Sequence, residues 1–159
     1  SIEKIVLVAP AVSENNSFSA SFLFDFYFFR QIERQIFTRI FSYTKFEELL
    51  KTAYFDVQKL TKADFDGYYL PFEIKNWDLA LIGMARDSYL NKINFDLKAL
   101  DKNILLIWGE NDQWIKLREA MELNTRFSKS VFKIIREAGH LPMEEQPEIF
   151  NSLLKDFLE

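Results

Sequence analysis

"NILLIWGENDQ", residues 103–113, decides the fold. Ile104 to Trp108 is an unbroken apolar run, the pattern of a strand buried on both faces of a parallel sheet. Gly109 closes the run, and Glu110, Asn111 and Asp112 form a polar loop directly after it. In parallel α/β sheets the ligand crevice lies beyond the carboxyl ends of the strands. A loop bearing carboxylates at that edge is therefore a candidate for chemistry.

The neighbouring segments repeat the alternation of strand and helix. Downstream, "IKLREAMELNTRF" (115–127) has helical periodicity and "SVFKIIREAGH" (130–140) predicts another strand with a polar exit. "QPEIFNSLLKDFLE" (146–159) predicts a closing helix with Pro147 in its first turn. Upstream, "KIVLVAP" (4–10) reads as a strand buried on both faces and closed by proline.

Between the first and second strands the pattern is helical. Phe29, Ile32, Ile36, Phe37, Ile40 and Phe41 share one face of an amphipathic helix, and a second helix follows over Lys45 to Tyr54. Thr61 stands three residues before Asp64, a capping-box spacing, and Pro71 ends the short helix that it starts. "EIKNWDLALIGMARDSY" (73–89) predicts one more helix. The class is α/β with about three parallel strands and flanking helices. The expected division is a core of residues 1–11 and 97–159, with a helical insertion over 12–96.

Composition excludes several functions. With 20 Lys+Arg against 24 Asp+Glu the net charge is −4, so no basic field exists to attract nucleic acid. No cysteine is present, which removes disulfides, zinc thiolate sites and a thiol nucleophile. One histidine cannot build an imidazole-rich metal site. No stretch approaches the roughly 20 apolar residues of a membrane span. The opening residues lack a signal-peptide pattern, so a cytoplasmic location is expected. Nine of the 17 phenylalanines fall between Phe18 and Phe46. Core or lid packing over an apolar substrate is the default account of that cluster. An exposed dimer surface and an interfacial membrane helix are the alternatives.

His140, the sole histidine, stands in the second polar loop, 28 residues after Asp112. That spacing is one helix plus one strand, so adjacent parallel strands bring both loops to the same sheet edge. An Asp that accepts a hydrogen bond from one ring nitrogen fixes the tautomer and leaves the other nitrogen to take a proton. Other roles stay open here. Asp112 also suits a turn or the N-cap of the next helix, and Glu110 is a rival acid. His140 alone could be structural. Glu144 and Glu145 read as helix-start carboxylates, and Trp114 could line a pocket or pack under the loop.

"NILLIWGEND" followed by "AGHLPMEEQPEIFNSLLKDFL" resembles the C-terminal portion of the α/β-hydrolase superfamily. The shared pattern is a strand, a glycine and an acidic loop, then a strand and Gly-His. The resemblance implies the C-terminal half of that fold, with residues 12–96 as its helical cap insertion. It implies Asp112 as triad acid and His140 as triad base, with Gly109, Gly139, Glu145 and Pro147 at structural positions. It further implies hydrolysis through a covalent intermediate, with no metal or organic cofactor. The apolar, aromatic insertion favours a small hydrophobic substrate, an ester by preference.

One departure is large. The family's nucleophile sits on a G-x-S-x-G elbow, whose glycines are four positions apart, whereas no two of Gly67, Gly83, Gly109 and Gly139 have that spacing. The nucleophile, Ser or Asp, is expected outside this sequence, in a missing N-terminal half. The alternatives are a non-catalytic binding or assembly module that kept the hydrolase shape, and one chain of a split epoxide- or haloalkane-type hydrolase. A first strand with an unpaired edge predicts a homodimer or higher oligomer.

Overall fold

In chain order the regular elements are β1 (Lys4–Val8), α1 (Tyr43–Lys51), α2 (Lys62–Tyr69), α3 (Trp77–Leu90), β2 (Asn103–Gly109), α4 (Leu117–Thr125), β3 (Ser130–Ile135), α5 (Pro142–Glu145) and α6 (Pro147–Leu158). This computed structural model describes residues 2–11, 38–39, 41–90 and 96–159. Two compact units divide the chain. One comprises Ser1–Ser13, Lys51–Leu60 and Phe95–Glu159, the other Glu14–Leu50 and Thr61–Asn94.

The first unit holds the sheet, in the order β1-β2-β3 with both pairs parallel. Every residue of β2 from Ile104 to Gly109 is buried, because its alternating side chains meet two covered faces. Ile104, Leu106 and Trp108 pack with Ala120 and Leu123 of α4. Leu105 and Ile107 pack with Ile135 and Ala138, and against Phe150, Leu153 and Phe157 of α6. A continuous apolar strand is thus the signature of a layer between two helices.

β1 departs from the expectation of burial on both faces: all five residues are only half-buried. Among the described residues it pairs with β2 alone, so one edge and part of each face lack cover. Its apolar sequence is that of an inner strand, and its position is that of an outer one.

The second unit is held together by aromatic contacts. Phe72 stacks on Phe41 at 5.4 Å, tilts against Phe46 at 4.6 Å and meets Trp77 edge-on at 4.9 Å. Tyr43 meets the buried Phe65 edge-on at 4.7 Å. Edge-on and offset rings align the positive rim of one with the negative face of another. The capping box forms: the Asp64 amide donates to Thr61 Oγ1 at 3.2 Å, and the Thr61 amide donates to Asp64 Oδ2 at 3.1 Å. Pro71 falls in a 3₁₀ turn, Leu70–Glu73, that follows α2. On the surface, the Lys62 ammonium and then the Tyr43 hydroxyl hold the Asp66 carboxyl below its ordinary range by bonding to it. Most of the Phe18–Phe46 stretch, and the amphipathic helix expected there over Phe29 to Phe41, lie outside the described residues apart from Thr38, Arg39 and Phe41.

Lys51–Leu60 groups with the sheet, although the sequence pattern assigns it to the helical insertion. Ala53 and Tyr54 are buried there, and the segment bonds to the chain after β3.

Candidate active site

The exits of β2 and β3 are laced together by backbone bonds. The Glu110 amide donates to Ile135 O and the Asn111 amide to Ala138 O, both at 2.9 Å. Gly109 permits this closeness, since a Cβ there would lie 1.9 Å from Gly139 O. Adjacent parallel strands thereby bring both polar loops to one edge, as the 28-residue spacing predicts.

Asp112 is 5% exposed and uses each carboxylate oxygen differently. Oδ1 accepts from the amides of Trp114 at 2.8 Å and Ile115 at 3.0 Å, tying a turn after β2. Oδ2 accepts from His140 Nδ1 at 2.9 Å. The turn role and the pairing role are therefore both filled, one per oxygen. The capping alternative is not: Lys116 is the N-cap of α4. The rival carboxylate, Glu110, is exposed, and it is Asp112 that meets the imidazole.

The His140 side chain is 19% exposed. A carboxylate can only accept, so the proton of this pair sits on Nδ1 and the lone pair of the neutral ring on Nε2. An imidazole held in that tautomer can take a proton from a hydroxyl or water placed before Nε2. Trp114 lies beside it, with ring centroids 4.8 Å apart and planes 36° apart. Its indole Nε1 donates to Thr52 Oγ1 at 2.8 Å. Trp114 thus flanks the imidazole and stays partly exposed. The only sequence signal for this was its nearness to Asp112.

Two further parts of the site were not legible as such. The His140 amide donates to Ala53 O at 2.7 Å. Gly139 allows that approach, because a Cβ on it would lie 2.2 Å from the same oxygen. Glu145, read from sequence as a helix-start carboxylate, is instead buried and accepts amide bonds from Phe55, Asp56 and Gly139. Ala53 carries no sequence signal for this role. Among the described residues no cluster of three His, Asp or Glu could hold a metal ion. No helix of the described residues is long and apolar enough to cross a membrane.

No family model matches the chain. Among curated proteins it is 31% identical over 94 residues to the uncharacterized hydrolase YugF of Bacillus subtilis, which covers 59% of this chain and 34% of that one. It is 39% identical over 57 residues to human epoxide hydrolase 4, covering 35% of this chain and 16% of the relative. To a 2-hydroxy-6-oxononadienedioate/2-hydroxy-6-oxononatrienedioate hydrolase of Pseudomonas putida it is 31% identical over 62 residues, 39% of this chain and 22% of that one. The matches span about a third or less of these relatives.

Solved structures agree on the fold. A serine hydrolase involved in carbazole degradation superposes with a TM-score of 0.71 at 17% identity, over 99% of this chain and 54% of its own. A meta-cleavage product hydrolase of Pseudomonas fluorescens gives 0.72 at 17% identity, over 98% and 55%. The chain thus spans about half the length of these structures. Strand order and sequence likeness converge: the chain resembles the α/β-hydrolase superfamily and has the fold of its C-terminal portion.

Proposed function

We propose that this chain supplies the acid and the base of a hydrolase whose nucleophile lies outside these 159 residues. His140 is the general base, either for a Ser attack or for the water that resolves an ester formed on an Asp. Asp112 holds the tautomer and stabilises the imidazolium. The bond between His140 Nδ1 and Asp112 Oδ2, 2.9 Å long with Asp112 buried, carries this reading. The unit of Glu14–Leu50 and Thr61–Asn94 takes the part of the family's cap. Its aromatic composition favours a small hydrophobic substrate.

An ester is the first candidate substrate. A second is favoured by a relative's name: a 2-hydroxy-6-oxo dienoate, since the Pseudomonas putida protein is named for 2-hydroxy-6-oxononadienedioate and 2-hydroxy-6-oxononatrienedioate. The test compares these 159 residues with the longest natural polypeptide that contains them, on p-nitrophenyl esters and on a 2-hydroxy-6-oxo dienoate. The longer form is expected to hydrolyse one of them and the 159 residues alone to hydrolyse neither. Full turnover by the 159 residues would put the nucleophile inside them and overturn the proposal. Inactivity of both forms, with retained ligand binding, would favour a binding module instead.

The edge of β1 away from β2, which has no strand partner among the described residues, supports self-association when nothing else pairs with it. Light scattering is expected to report a dimer or larger species, and a monomer at high concentration would contradict this.

A further inference from the structure

Glu145 is 1% exposed, and among the described residues its carboxylate takes only backbone amides as donors. Oε1 accepts from Phe55 at 2.8 Å and Asp56 at 2.9 Å, while Oε2 accepts from Gly139 at 2.5 Å. One side chain therefore joins two segments some 90 residues apart in sequence. The same junction includes the His140 amide on Ala53 O and the Tyr54 hydroxyl on Glu144 Oε2. Lys59 Nζ adds a bond to the Glu145 carbonyl.

Burying a carboxylate is costly unless every lone pair finds a donor, so a buried Glu is a poor choice for merely filling space. What it does here is local to the imidazole. Gly139 is the residue before His140, so the bond from its amide to Oε2 fixes the 138–139 peptide, directly ahead of the one that the His140 amide ties to Ala53 O. The approach to that peptide has little preference of its own for this shape: Glu137 adopts φ 52°, the left-handed region that disfavours a side chain. A loop with such a kink needs external bonds to keep one geometry.

We propose that Glu145 is a positioning residue: through Gly139 and the Ala53–Asp56 turn it holds the His140 backbone so that Nδ1 stays on Asp112. The inference rests on reading Asp112 and His140 as acid and base. Loss of the Gly139 end frees the 138–139 peptide, loss of the other end frees the Ala53–Asp56 turn that receives the His140 amide, and in either case the ring divides its time between tautomers. Glu145→Ala removes all three bonds. Glu145→Gln keeps the shape, but its NH₂ must face an amide donor at one end or the other, so one end is lost.

Because His140 is the only histidine, its ring gives a single set of nitrogen resonances from the full chain. The experiment records ring ¹⁵N shifts and the pH titration of His140 in the wild type, E145A, E145Q and Leu153→Ala. Leu153 packs from α6 on the sheet core that includes Ala138, and its side chain makes no hydrogen bond to the brace, so it serves as a control for general destabilisation. The preference for the Nδ1–H tautomer is expected to fall on the order of tenfold in both Glu145 variants. L153A is expected to keep the wild-type ring spectrum. Glu145 variants that match the wild type, or an L153A that shifts equally, would overturn the proposal. Should E145A fail to fold, E145Q decides alone. A wild type without the Nδ1–H tautomer would instead sink the acid–base reading itself, and the brace with it.

Discussion

In the complete polypeptide, His140→Ala is expected to lower kcat about 10⁴-fold or more, and Asp112→Asn about 10⁴-fold, with KM near the wild-type value. A factor of that size is roughly 5.5 kcal/mol of transition-state stabilisation. The Asn variant isolates the chemistry. Its carbonyl oxygen keeps the two amide bonds from Trp114 and Ile115 that Asp112 Oδ1 accepts, so the turn survives. Its NH₂ then faces His140 Nδ1, where the carboxylate had accepted at 2.9 Å. A donor opposite Nδ1 forces the ring proton to Nε2, the nitrogen that must be free to act as base. Asp112→Ala is less informative, since it strands two amide donors and costs about 1–3 kcal/mol for each one left buried. Steady-state kinetics with a thermal-unfolding control check this. A folded D112N enzyme keeping more than about a tenth of wild-type turnover would remove Asp112 from the proposed mechanism.

Gly109→Ala is expected to destabilise the sheet unit by about 3 kcal/mol or more. The added Cβ would lie 1.9 Å from Gly139 O, 2.5 Å from Ala138 O and 2.8 Å from Ala138 C. All three are backbone atoms, so no side-chain rotation relieves the overlap. Relief requires the 138–139 peptide to retreat from β2. That movement breaks the Asn111 amide bond to Ala138 O and draws His140 away from Asp112. Gly67, inside α2 with nothing within 4 Å of its Cβ position, is the contrasting case. Gly67→Ala should be neutral or stabilising by about 0.5–1 kcal/mol, the usual helical preference for Ala. Urea unfolding of both variants measures the difference. Equal midpoints would mean that the two polar loops are not packed as tightly as the geometry states.

β2 was legible because burial on two faces leaves one mark, an uninterrupted apolar run, and Ile104 to Trp108 carry it. The pairing of Asp112 with His140 could be anticipated for a related reason: strand, helix and strand of known rise fix which loops share an edge. β1 shows the limit of that logic. Its sequence records apolar side chains and says nothing about which strands are present to cover them, so an inner-strand pattern occurs at an edge. Lys51–Leu60 was assigned to the insertion because periodicity is a local signal. Its allegiance to the sheet depends on Ala53, Phe55 and Asp56 bonding to residues after β3, with partners some 90 residues distant. The amide partners of Glu145 are hidden from local pattern in the same way, and only the family resemblance marks it as a structural position. A carboxylate near a helix start looks alike whether it faces solvent or is buried among amides.

Whether the only imidazole of the chain is held by a buried carboxylate is settled most directly by its ring ¹⁵N spectrum near neutral pH. The predicted result is one neutral form protonated at Nδ1, converting to the Nε2-protonated form in D112N. A wild-type ring that averages both tautomers, or a spectrum indifferent to D112N, would contradict the pairing on which the proposed hydrolytic role depends.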